Sequence, residues 1–233
     1  MRQALLIFNK EFKDYFVSPI AYIVIAIFLA FAGWLFFSTF FLYDQAELRR
    51  FFDMLPFLLA LLVPIITMRL FAEELNVGSY ELLLTLPVTS RDIIVGKFLA
   101  AVAFVAALLL PTLLYAVCIG WIGDLDWGVV IGGYIGALLL GAAYAAIGLF
   151  TSALTRNQII ACIAAIVICV ALAIVDQMLF FFPPLVLDVV THLSANAHFG
   201  NIAKGIVDSR DLLYFLSIAF LGLYATHLAM EDR

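Results

Sequence analysis

Residues 71–98 read "FAEELNVGSYELLLTLPVTSRDIIVGKF", with three glutamates, a leucine run, a proline and a lysine set between two long apolar runs. Taken as a helix over 73–86, the stretch puts Glu74, Glu81 and Thr85 on one face, with Gly78 between them. Leu75, Leu82, Leu83 and Leu86 line another. Pro87 disfavours helix at the residue before it, so the helix is expected to stop near Thr85 or Leu86. Thr89-Ser90-Arg91-Asp92 then reads as a capping box opening the next apolar run. The leucine stripe can lie against the ends of neighbouring helices, which leaves the carboxylates for water or a protein partner.

The surrounding chain says what such a segment is inserted into. Of 233 residues, 66% are hydrophobic and only 12% charged, against about 45–50% and about 25% in a soluble domain. The mean hydropathy is +1.16. These values describe an integral membrane protein with no room for a sizeable aqueous domain. A formal charge of −5 with no basic run excludes a nucleic-acid partner. Cys118, Cys162 and Cys169 lie in or beside apolar runs without metal-like spacing, and their odd number argues against a disulfide framework.

A helix crosses the hydrocarbon in about 20 apolar residues. Six spans are expected, at 20–42, 52–71, 93–118, 127–154, 158–182 and 211–230. The first is too long for a signal h-region and reads as an uncleaved anchor. The second carries Pro56 and Pro64, and the fourth and fifth are joined by the polar turn around Arg156. With the N-terminus inside, eight basic residues fall in cytoplasmic segments and four outside, which orients both termini to the cytoplasm. The stretch at 72–91 is then a cytoplasmic loop between spans two and three.

Three further segments carry a pattern. Residues 1–18 place Leu5, Phe8, Phe12, Tyr15 and Phe16 on one helical face, with Arg2, Lys10 and Lys13 elsewhere. This suits an amphipathic helix lying in the membrane interface. Residues 183–210 are too apolar for a free loop and too interrupted for a span. They read as short outer-face helices ending at a cap from Asp208 or Ser209; His192 and His198 lie here without the companions of a metal site. Gly133, Ala137, Gly141 and Ala145 form a small-residue stripe that lets helices approach closely. Asp176, at the end of the fifth run, reads as an end marker.

Having these residues in view, the stretch "RLFAEELNVGSYELLLTLPVTSRDIIVGKFL" (69–99) resembles the coupling segment of ABC-2 type transporter permeases. The match falls on Arg69, Glu73, Glu74, Gly78, Glu81, Leu82, Leu83, Pro87, Thr89, Gly96 and Lys97. Ser79 stands where threonine is usual, and Leu75-Asn76 replace positions that are often basic. "SALTRNQ" (152–158) and "HLSANAHFGNIAKGIVDSRDLLYFLS" (192–217) are similar to the gliding-motility-type subgroup. They are also similar to the permease of the copper-maturation system for nitrous oxide reductase.

The resemblance implies an all-α polytopic membrane protein of the type V exporter kind, a half-transporter in the bacterial inner membrane. Its loop would couple to a dimeric cytoplasmic ABC ATPase, and it would pair with a second permease copy or a related membrane subunit amid membrane lipid. ATP and Mg would sit on the ATPase, with no cofactor and no metal on this chain, which is not itself an enzyme. The chain agrees on that last point, since Gly96-Lys97 is followed by Phe98 and no P-loop is present. An intramembrane protease lacks its HExxH or paired acids. A secondary transporter or channel subunit is the alternative, although the spans carry almost no midplane charge. Such an interior fits a lipidic or polymeric cargo, or mechanical work.

Overall fold

The computed structural model describes residues 2–43, 48–80, 88–122, 125–177, 192–206 and 208–231. All regular structure among them is helical. Helix α1 spans Arg2–Val17 and α2 spans Pro19–Tyr43. Pro19 opens α2, where its missing N–H costs nothing, and the Ser18 hydroxyl accepts the Ile20 N–H at 3.3 Å. Helices α3 (Arg49–Thr67) and α4 (Arg69–Val77) follow one another with a seam at Met68. Helix α5 spans Ser90–Leu109, and a 3-10 turn at Leu110–Thr112 leads into α6, Leu113–Ile122. Then come α7 (Trp127–Leu154), α8 (Gln158–Ile174), α9 (Ala195–Ala203) and α10 (Ser209–Glu231).

Five stretches are long and apolar enough to cross a membrane: Pro19–Ser38, Arg49–Val77, Ser90–Trp121, Trp127–Leu154 and Ser209–Glu231. Helix α8 is apolar but shorter, and of the expected fifth span residues 178–182 lie outside the described residues. Helix α7 forms the centre, flanked by α3, α5, α8, α9 and α10. Its small residues make this possible. A Cβ on Gly133 would stand 2.4 Å from the Phe52 ring of α3, and one on Gly141 would stand 2.5 Å from Val105 of α5. Ala137 and Ala145 are fully buried between them.

Several boundaries depart from the sequence expectation. The second span does not end at residue 71; its helix runs on through the seam to Val77. The coupling helix does not run unbroken over 73–86, because Gly78 takes a left-handed φ of 76° and ends α4 there. A residue without Cβ adopts that conformation freely and closes a helix. The third span starts at Ser90 and is interrupted at Pro111, which has no N–H to bond the preceding turn. The Thr112 hydroxyl covers the break, donating to the Leu109 carbonyl at 2.6 Å and meeting the Tyr134 hydroxyl at 3.0 Å.

Helix α1 turns part of its aromatic face inward. It packs along α5, with Tyr15 and Phe16 against Phe104 at ring distances of 5.0 and 5.9 Å, while Leu5 is left exposed. Helix α9 packs inward on one side: Phe199 and Ile202 are buried, pressed on Gly136 of α7. The adjacent 183–191 lie outside the described residues.

The bundle has two distinct ends. Asp211, opening α10, meets His198 of α9, whereas Gly222 lower on α10 packs on Ala146, well along α7. The start of α1 and the end of α10 therefore lie at the α1/α4 end. Single cysteines at Val77 (75% exposed) and Trp121 (90% exposed) should react with an impermeant maleimide from opposite membrane faces. The experiment uses a chain whose native Cys118 and Cys162 are alanine. Labelling of both positions from one face would break this topology.

Candidate functional site

The segment that opened the sequence reading closes on a single buried ammonium. Lys97, about two turns into α5, is 1% exposed. Its Nζ donates to Glu74 Oε1 of α4 at 2.7 Å, to the Leu70 carbonyl of α4 at 2.7 Å, and to Glu11 Oε1 of α1 at 3.0 Å. Three N–H donors meet three oxygens, so the ammonium is fully satisfied. It also lies 5.3 Å from the centre of the Phe71 ring. One side chain thus joins α1, α4 and α5.

The residue before it makes the junction possible. A Cβ on Gly96 would stand 2.8 Å from both the Ala4 carbonyl and Ile7. With hydrogen there, the backbone of α1 crosses α5 directly, which brings Glu11 to Lys97. A chain of rings fixes the crossing: Phe8 stacks on Phe12 at 5.7 Å, and Phe12 meets Phe16 at 5.0 Å. Tyr15 is buried, and that burial pushes its phenol well above the usual range. Lys13 is exposed, and Lys10, also exposed, reaches Glu11 Oε1 at 3.7 Å.

Glu74 does not offer its carboxylate to a partner, as the acidic-stripe reading expected. It faces inward on Lys97, with Oε2 buried and unbonded. The outward positions at the end of α4 are Glu73, Asn76, Val77 and Gly78. Glu81, Leu82, Leu83 and Pro87 lie outside the described residues. Beyond them, Thr89 caps α5: its hydroxyl oxygen accepts the Asp92 N–H at 3.2 Å and its O–H meets Asp92 Oδ2 at 2.7 Å. Tyr80 is buried against Phe71, and burial raises its phenol's pKa as well.

A polar cleft of about 410 Å³ opens between α1 and α4. Its charged walls are Lys10, Glu11, Asp14, Arg69, Glu73, Glu74 and Lys97. Arg69 stands at its membrane-side edge, with the guanidinium carbon 5.1 Å from the centre of the Tyr15 ring.

Sequence reasoning missed Ser152. This residue is fully buried near the end of α7, and its hydroxyl is wedged into the α3/α4 seam. In an uninterrupted helix the Ala72 N–H would bond the Met68 carbonyl. Here the Ser152 hydroxyl donates to the Met68 carbonyl at 2.8 Å and accepts from the Phe71 and Ala72 amides at 3.0 Å each. An inserted side chain of this kind is a recognised cause of helix kinks. The only sequence signal was a small polar residue inside an apolar run.

At the opposite end stand α9 and the start of α10. His198 is held there by Asp211 through Nδ1 and by the His192 carbonyl at 3.2 Å through Nε2. Its ring stacks on Tyr214 at 4.1 Å. Asp176 accepts from Asn196 at 2.7 Å, which ties the end of α8 to α9. Among the described residues, no group of three potential metal ligands comes together.

No curated protein matches the chain. The family model described as ABC-2 family transporter protein matches residues 5–219. That match spans nearly the whole length and both ends of the bundle. The chain therefore belongs to the ABC-2 transporter family, as a multi-pass membrane subunit of an ABC transporter.

Proposed function

We propose that this chain is the permease half of an ABC translocase in the bacterial inner membrane. It couples ATP hydrolysis by a separate cytoplasmic ATPase dimer to export or mechanical work. The observation that carries the reading is the continuity of α3 with α4, whose outward tip is tied by Lys97 to both α1 and α5. A push on the tip is delivered to three helices together. ATP and Mg belong to the ATPase, and α1 acts as the elbow that follows the motion.

The docking surface consists of the α4 tip and the adjoining segment 81–87, with Glu81, Leu82, Leu83 and Pro87. Arg69, Glu74 and Lys97 serve transmission rather than contact. Helix α8 is read as a sixth crossing, since it runs from Gln158 beside the α3/α4 seam to Asp176 beside α9. A second permease copy or a related membrane subunit completes the pathway. The resemblance of "SALTRNQ" (152–158) and "HLSANAHFGNIAKGIVDSRDLLYFLS" (192–217) to gliding-motility-type permeases supports reading the chain as a member of that subgroup.

The test is co-purification from the native membrane in mild detergent. A stoichiometric P-loop ATPase is expected to accompany the wild-type chain. Val77→Asp with Asn76→Lys should reduce its recovery at least tenfold while the chain elutes and melts as before. Undiminished recovery would remove the docking role from the α4 tip. A clean chain that conducts ions in liposomes would favour a secondary transporter.

A further inference from the structure

A second cavity, about 140 Å³, lies beside the coupling cleft among α1, α2, α3 and α5, at the start of α8. Its interior wall is apolar, formed by Val24, Ile65 and Phe104, and its mouth carries Arg69, Glu73 and Gln158. Three helix boundaries meet at that mouth. Helix α2 begins at Pro19, α8 begins at Gln158, and α3 gives way to α4 at Met68. The opening therefore sits where the apolar helices reach the membrane interface.

The two charges at the mouth are not matched to each other. Residues one turn apart on a helix hold their Cβ atoms about 5–6 Å apart, yet Arg69 and Glu73 make no ion pair. Arg69 borders the acidic cleft, and its guanidinium lies over the Tyr15 ring. A half-buried guanidinium presents a fork that suits phosphate. Glu73, exposed beside it, presents a carboxylate that suits an amine. Val24, Ile65 and Phe104 suit hydrocarbon.

We propose that this cavity binds one zwitterionic phospholipid bearing a primary amine. The phosphate sits on Arg69, the ammonium on Glu73, and the first carbons of a chain lie against Val24 and Phe104. The bound headgroup stands at the root of α4, between the membrane and the docking tip. Its occupancy therefore braces the helix that carries the coupling stroke.

The experiment is native mass spectrometry of the full chain in detergent, with dilauroyl phosphatidylethanolamine, phosphatidylcholine or phosphatidylglycerol added in turn. One phosphatidylethanolamine is expected to be retained, at least tenfold in preference to phosphatidylcholine. Arg69→Gln should abolish retention of all three, and Arg69→Lys should restore part of it. Glu73→Gln should keep phosphate binding but erase the preference for the amine. Ile20→Trp, at an exposed position on the cavity rim, should exclude the lipid without altering either charge. Equal retention of the three lipids by the wild-type chain would overturn the proposal. So would unchanged retention in Arg69→Gln, or displacement of the lipid by soluble phosphoethanolamine at equal concentration. The readout needs no ATPase, so the coupling reading and this one fail separately.

Discussion

Replacing Lys97 with methionine should destabilise the chain more than any other single change at the coupling end. The ammonium is the shared partner of Glu74, Glu11 and the Leu70 carbonyl. Methionine keeps the volume and removes all three bonds, leaving two half-buried carboxylates facing each other. Breaking a buried pair by deleting one member costs about 3–5 kcal/mol. The expected result is a large fall in melting temperature in detergent, accompanied by release of α1 to protease or cysteine labelling. Adding Glu74→Gln to the Lys97→Met chain should recover part of the loss, because it removes one of the opposed charges. Failure of that rescue would show that the ion pairs are not what holds the junction. Glu74→Lys is expected to act in the same way, placing a second ammonium against Lys97. Its effect would appear first as lost stability, and only secondarily as lost ATPase contact.

The second large effect is expected from Ser152→Ala. Removing the hydroxyl leaves the Met68 carbonyl and the Phe71 and Ala72 amides without their shared partner. Each buried unsatisfied group costs about 1–3 kcal/mol, so the seam cannot stay as it is. The available relief is for the Ala72 N–H to bond the Met68 carbonyl directly, which straightens α3 into α4 and swings the tip. Distance measurements between spin labels at Asn76 and Lys13 should therefore shift. ATPase activity of the complex should lose its coupling to the membrane while the spans remain folded. Ser152→Thr, which retains the hydroxyl, should lie between the two. An unmoved tip in Ser152→Ala would mean that the seam is held by packing alone.

Much of this architecture was legible because a membrane simplifies the code. Uncharged runs announced the helices at 20–42, 127–154 and 211–230 within a few residues, since backbone in hydrocarbon must satisfy itself internally. Thr89 was readable as the cap of α5 because a cap depends on residues three positions apart. The small-residue stripe on α7 was visible too, though not which helices it would admit. The errors lie where local pattern competes with distant contact. The aromatic face of α1 looks the same whether it meets lipid or α5, and only Gly96 facing Ala4 and Ile7 decides between them. Gly78 sat inside a convincing amphipathic pattern, and its left-handed backbone ended the helix well before Pro87 could.

The sequence by itself determined that the chain is a bundle of membrane helices, and it marked the starts of several of them. Those properties follow from runs of apolar residues, from caps and from spacing, all of which act within a few turns of chain. Only the tertiary structure decided that Glu74 looks inward, that Lys97 joins α1, α4 and α5, and that Ser152 bonds the α3/α4 seam. Residues 86, 27, 23 and 80 positions apart meet there. A buried ammonium takes whichever oxygens the packed helices bring within reach, and no local pattern records which those will be.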